Sequence, residues 1–330
     1  MRLLLKVLVT LVLVFFLIFK INWQEIFTVI KTLSWWIIPV AILMQLLIFY
    51  IGNIRWYQIL KIHSIKIAPL KLYKYYLIGT FFNNFLPTTV GGDVYRAYFI
   101  YKNNSGLVPS LMPIIFERFI GLICLVGIGT IALLFYNDKT NLILVLSYSL
   151  IAIFSATLFG LFIIYNLTTY AFIKRIIKKI GSHKLLNKIF IFIETFHEYT
   201  INLKLIFKLV VLTLILQLIA ISIFALLGYG VGSELSIIKY LQIVPVVLTI
   251  SSLPISIGGL GIRELTAITL LVHAGMLETH AAAISIVFLF VLIISSSVGL
   301  FFFLHLNENN VIKNAKKLKN ELDNKMEDYD

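Results

Sequence analysis

Charge is scarce in this chain of 330 residues: Asp, Glu, Lys and Arg together make up 13%, and only 15 residues are acidic. An ordinary soluble domain, in which about a quarter of residues are charged, is excluded. Cysteine is scarcer still. The single Cys124 permits neither a disulfide framework nor a thiolate metal cluster, and inside an apolar run it reads as a small buried apolar residue. None of the six histidines pairs with another at ligand spacing beside a carboxylate, so no metal site is expected. There is no P-loop and no dinucleotide fingerprint, and no cofactor is expected. The first apolar run follows Arg2 and Lys6 as a signal peptide would, but no small-x-small cleavage site follows Phe19, so it reads as a retained anchor.

What is present is hydrocarbon: 60% hydrophobic residues and a mean hydropathy of +0.98. Stretches of roughly 17 to 25 apolar residues cross a bilayer as helix, which satisfies its own backbone without water. Full spans are expected near 3–19, 36–54, 111–136, 142–166, 206–229 and 281–304, making an all-α polytopic membrane protein. One transmembrane domain is expected over 1–308, with a polar tail over 309–330. The net charge of +13 sits at the ends of spans, in "IKRIIKKIGSHKLLNK" (Ile173–Lys188) and "IKNAKKLKN" (Ile312–Asn320) above all. No recognition motif accompanies it, so membrane rather than nucleic acid is the expected contact. By the positive-inside rule both basic segments are cytoplasmic, as are both termini and the run Arg55, Lys61, Lys66, Lys71, Lys74. The links Tyr136–Asn141 and Gly230–Ser236 then fall outside. The segment 171–204 has apolar residues at helical spacing and is expected to lie on the inner surface as an amphipathic helix. Arg55, beside Trp56, reads as an interfacial anchor whose head snorkels to water.

Two apolar regions, 70–106 and 238–278, are interrupted by proline and paired glycines. Each is expected to enter and return on one side, as a re-entrant hairpin or a pair of broken helices. Their centres match: "LPTTVGGDVYR" (Leu86–Arg96) and "LPISIGGLGIR" (Leu253–Arg263) share Leu, Pro, Gly-Gly and Arg at identical spacing. Three full spans separate the copies, so the halves, about 1–137 and 138–308, are expected to be inverted repeats with a site where the two hairpins meet.

Leu86-Pro87 and Leu253-Pro254 mark breaks, because proline drives the residue before it out of helix. Beyond them Gly91-Gly92 and Gly258-Gly259 leave backbone N–H groups open at a helix start, where an anion such as phosphate is favoured. Asp93 and Arg96 share a helical face. Arg96 and Arg263 are candidate ligands for a head-group phosphate, Asp93 and Glu264 the residues that orient or release them, and Asn83 and Asn84 neutral hydrogen-bonding groups. The competing reading makes Asp93–Arg96 and Arg263–Glu264 structural ion pairs. Glu117 and Arg118, in "FERFIG" (Phe116–Gly121), read either as interfacial charges or as coupling groups.

"NNFLPTTVGGDVYR", "FERFIG" and "LPISIGGLGIRE" resemble the signature stretches of the lysylphosphatidylglycerol synthase transmembrane-region family, described as flippase-like, and the resemblance runs over about 5–305. It implies an inner-membrane protein that moves a lipid across the bilayer, with characteristic polar positions at Gly91, Gly92, Asp93, Arg96, Pro254, Gly258, Gly259, Arg263 and Glu264. Full-length synthases add a large soluble domain that this chain does not match, so aminoacyl transfer is not implied. The expected function is translocation of an anionic phospholipid or a polyprenyl-phosphate-linked lipid. The alternatives are a membrane-embedded head-group or glycosyl transferase and a non-catalytic partner of another enzyme or of a second copy.

Overall fold

A computed structural model describes residues 2–20, 22–86, 91–102, 106–134, 141–166, 175, 184–253 and 256–305. Pro87, Pro254, the 136–140 link, the tail and most of the basic segment before Lys184 lie outside them. Among the described residues the chain forms twelve α-helices: α1 (Arg2–Lys20), α2 (Trp23–Thr32), α3 (Ile37–Leu60), α4 (Pro69–Phe85), α5 (Gly91–Lys102), α6 (Leu107–Leu134), α7 (Asn141–Tyr165), α8 (Lys184–Ile201), α9 (Leu203–Gly230), α10 (Ile237–Ser252), α11 (Ile262–His273) and α12 (Glu278–His305).

All six expected spans are helical, as α1, α3, α6, α7, α9 and α12. Four helical stretches, Ile37–His63, Leu107–Ala132, Leu203–Gly230 and Glu278–His305, are each long and apolar enough to cross a membrane. At 1.5 Å per residue, the 28 residues of α9 or α12 reach about 42 Å, enough for the hydrocarbon and both interfaces. The protein is thus an all-helical, multi-pass membrane protein. One boundary differs in a way that matters. The second span was expected to stop at residue 54, but α3 runs to Leu60 because nothing between Asn53 and Leu60 breaks a helix.

Each interrupted region is a helix–break–helix. Leu86 and Leu253, the residues before the prolines, are extended (φ −79°, ψ 147° and φ −67°, ψ 140°), as clash with a proline ring requires. The arms then pack back on each other, α4 on α5 and α10 on α11. Among the remaining helices α3 lies along α9, α4 along α12 and α6 along α10. Close approaches need glycine: a Cβ at Gly299 of α12 would overlap the Leu77 carbonyl of α4, and one at Gly228 of α9 would overlap the Tyr240 hydroxyl. The core under α9, α10 and α12 is apolar, with Phe224, Val244, Leu271, Ala283 and Val291 buried. In the segment 171–204, α8 buries Phe196 and Tyr199 against Phe116 of α6. Its Glu194 and Glu198 are exposed, and the part of the segment before Lys184, Arg175 apart, lies outside the described residues.

Gly299→Ala forces α12 away from α4 and is expected to lower the stability of the detergent-solubilised protein by about 1–3 kcal/mol. Gly160→Ala in α7, where a Cβ meets nothing within 4 Å, is expected to be neutral or slightly stabilising. Thermal unfolding followed by size-exclusion chromatography measures both, and equal effects would contradict the α4–α12 contact.

Candidate functional site

The first elbow is closed by a side chain. Asn83, in the last turn of α4, accepts from the Gly92 N–H through Oδ1 at 2.9 Å and donates through Nδ2 to Asp93 Oδ1 at 3.2 Å. It therefore supplies an orphan first-turn amide of α5 with an acceptor from another helix. Gly92 is required for that fit, since a Cβ there would overlap the Gly79 carbonyl of α4. Asp93 stands in the first turn of α5, where the helix dipole favours an anion.

From Asp93 a chain of charge runs through the protein. Arg96, one turn further on α5, lies 3.6 Å from Asp93 and places Nη2 2.5 Å from Glu117 Oε2 on α6. Glu117 Oε1 accepts from Arg55 Nη2 on α3 at 3.0 Å, and Arg55 Nη1 donates to Thr213 Oγ1 on α9 at 2.8 Å. At the other end Asp93 pairs with Arg118 of α6. The order is Arg55, Glu117, Arg96, Asp93, Arg118, alternating in sign throughout. Four of these five residues are no more than 8% exposed, whereas the side chain of Arg118 is 48% exposed. The Arg96 guanidinium also lies over the rings of Trp56 and Tyr76, at 4.2 and 4.5 Å from their centroids. Desolvating ions costs several kcal/mol each, so only this alternation makes the cluster tolerable in an apolar bundle. Three cations face two anions, and the surplus is nearest the exposed end.

Arg55 corrects the sequence reading. It is a buried member of the chain rather than an interfacial anchor, because five further residues of helix carry α3 past it. Trp56 likewise packs on Arg96 rather than facing lipid. The sequence leaves both readings open at this position: an arginine inside an unbroken helical run calls for a buried acid, which "FERFIG" offers, but the fall in hydropathy around it is the same as at a span's end.

The second elbow is built differently. Gly258, Gly259 and Gly261 all have positive φ (56°, 76° and 80°), which glycine alone adopts without strain. Glu264 Oε2 accepts from the Gly261 N–H at 2.7 Å, capping α11. Its Oε1 accepts from Arg263 Nε and Nη2 at 2.9 and 2.6 Å. Arg263 and Glu264 are 6% and 4% exposed, and this pair lies wholly within one helix. Thr10 of α1 holds the elbow, its Oγ1 accepting from Ile257 N at 2.9 Å.

The two elbows meet. A Cβ on Gly258 would stand 3.0 Å from the Asn84 carbonyl oxygen and 3.3 Å from that of Asn83. A cavity of about 50 Å³ lies at the junction, lined by Asn84, Phe85, Gly258, Arg263 and, on α12, Leu289 and Leu292. Asn83, Gly92, Asp93, Arg96, Glu117 and Arg118 therefore share one network, with Gly91 opening the helix that carries it. Asn84, Gly258, Gly259, Arg263 and Glu264 form a second group beside it, and among the described residues no ion pair joins Arg263 or Glu264 to the first network.

The family model described as "Lysylphosphatidylglycerol synthase TM region" matches residues 3–299. Comparison with curated proteins gives no match.

Glu117→Ala leaves two buried guanidinium groups without their shared carboxylate and is expected to destabilise the protein by about 3–5 kcal/mol. Arg118→Ala removes a half-exposed partner and is expected to cost at most about 1 kcal/mol. Melting of the two variants in the same detergent decides the matter, and a loss from Arg118→Ala as large as that from Glu117→Ala would contradict the order of the chain.

Proposed function

The chain belongs to the lysylphosphatidylglycerol synthase TM region family, and on that premise we propose that it translocates a lipid with an anionic head group, either a phospholipid or a polyprenyl-phosphate-linked lipid. One observation carries the reading: the two oxygens of a single buried carboxylate, Glu117, hold two arginines, Arg55 and Arg96. A phosphate presents oxygens to guanidinium groups in the same way. In this reading Glu117 stands where a head group binds, and the head group displaces it. Arg118, the exposed end of the chain, meets the phosphate first and releases Asp93. Arg96 then exchanges Glu117 for the phosphate, while the acyl chains stay in hydrocarbon. Glu117, freed from one arginine, becomes the group through which a proton couples to the movement.

The packing of helices supports the inverted-repeat arrangement behind this mechanism. Exchanging α3, α4, α5 and α6 with α9, α10, α11 and α12 turns the α4–α12 contact into α10–α6 and leaves α3–α9 unchanged. Transporters built of such repeats commonly bind substrate near the meeting of their broken helices, and the junction of Asn84 and Gly258 adjoins Asn83 of the charge network, which supports this reading. With the basic segments cytoplasmic, both termini face the cytoplasm of the inner membrane and the first hairpin opens toward it.

Reconstituted liposomes carrying a fluorescent anionic phospholipid or a fluorescent polyprenyl phosphate, read by a membrane-impermeant quencher, test the reading. Wild-type protein is expected to move at least one of them, and Arg118→Ala, which spares the fold, to slow it about tenfold, a barrier higher by about 1.4 kcal/mol. Arg96→Ala and Arg263→Ala are expected to abolish it. Movement of neither lipid, or movement unchanged in Arg118→Ala, would overturn the proposal.

A further inference from the structure

The second elbow is held from outside its own hairpin, by a helix that meets the bundle along one narrow line. Gly258, Gly259 and Gly261 turn the chain through left-handed conformations and bring no side chain to brace it. The Leu260 and Gly261 N–H groups donate within the segment, to the Ile257 carbonyl at 2.8 Å and to Glu264 at 2.7 Å. The Ile257 N–H does not. Its acceptor is Oγ1 of Thr10, 247 residues earlier on α1, at 2.9 Å. Ser256, immediately before it, is fully buried, and its hydroxyl has no partner among the described residues. The hairpin therefore leaves part of its polar tip for another element to satisfy.

Among the described side chains of α1, Thr10 alone is buried, at 7% exposure. Val9, Leu13 and Leu17 are half-buried on the same stripe, whereas Leu8, Leu11, Val12, Phe15, Phe16 and Phe19 are each at least 50% exposed. The packing of α1 falls on α11 and on the elbow itself. The next helix is secured separately, since α2 buries Ile26 and packs along α12. In water, lifting α1 away would expose apolar surface, but in a bilayer lipid takes the place of the bundle and no hydrophobic force resists. What holds α1 is that line of contact and an interhelical hydrogen bond. Such a bond in a membrane protein shifts an equilibrium about threefold on average, and less than about twentyfold at most.

We propose that α1 is a detachable strap on the second elbow, with the Thr10 hydroxyl as its clasp. Docked, it fixes Ile257 and with it the three glycines. Lifted, it frees the elbow and the start of α11 to move, while α2 stays on the bundle. At the first elbow the matching contact is internal to the hairpin, where Asn83 of α4 meets the Gly92 N–H of α5. Thr10 is thus a positioning residue for the second elbow, and the inference holds independently of the translocation reading.

Two measurements on the full chain in lipid nanodiscs test the strap: hydrogen–deuterium exchange, and the distance between spin labels at Leu11→Cys and Phe290→Cys in a Cys124→Ala background. Both labelled positions are exposed, one on α1 and one on α12. Thr10→Val keeps the shape of the side chain and removes the hydroxyl. It is expected to speed exchange over 256–261 about three- to tenfold and to enlarge the population with α1 displaced by the same factor. Thr10→Ser, which keeps the hydroxyl, is expected to match the wild type in both. Exchange in α9 and α12 and the melting temperature are expected to stay unchanged in either variant. Unchanged exchange at the elbow in Thr10→Val would overturn the proposal. Faster exchange with unaltered label distances would also overturn it, by reducing Thr10 to a local cap. Equal behaviour of the serine and valine variants, or faster exchange throughout the protein, would do the same.

Discussion

Hydrocarbon does not solvate charge, and the architecture around the first elbow follows from that. Arg55, Glu117, Arg96 and Asp93 are each more than nine-tenths buried, and each is tolerable only because its neighbours in the chain carry the opposite sign. That requirement sets the helix arrangement: α3, α5 and α6 must approach closely enough for side chains on all three to touch, and α9 is drawn in through Thr213. Removing any inner member strands a charge, so the cluster acts as one object.

The approach of helices is in turn set by what has no side chain. Gly92 against Gly79, Gly299 against Leu77 and Gly258 against the carbonyls of Asn83 and Asn84 are places where backbone meets backbone. In membranes small residues let helices close to this distance, where dispersion and carbonyl dipoles replace a hydrophobic driving force that lipid does not supply. The polar elbows and the tight packing are thus one feature. A hairpin that turns inside the bundle must hydrogen-bond its own loose ends, as Asn83 and Glu264 do for α5 and α11.

Helices and breaks were legible because they rest on local rules. Apolar run length located α1, α3, α6, α7, α9 and α12, and proline with paired glycines located both interruptions, down to the extended Leu86 and Leu253. The pairing of Asp93 with Arg96 was legible from their spacing, as was that of Arg263 with Glu264 from adjacency. The role of Arg55 was not. Its acid lies 62 residues away on another helix, and hydropathy at residues 53–58 falls just as it does at a span's end. The place of Glu117 between two arginines was hidden for the same reason, since the choice of partners is made by tertiary packing.

The two elbows share a sequence pattern but not a charge design. Around Arg96 the counter-ions come from a neighbouring helix as well as from its own, so α5 is tethered to α6 and, through Glu117, to α3. Arg263 has its counter-ion at the next position, on α11 itself. A rigid shift of α11 along α12 therefore carries a neutral dipole through oil and exposes no bare ion, whereas the same displacement of α5 would tear opposite charges apart. On electrostatic grounds alone, displacing the second elbow costs less than displacing the first.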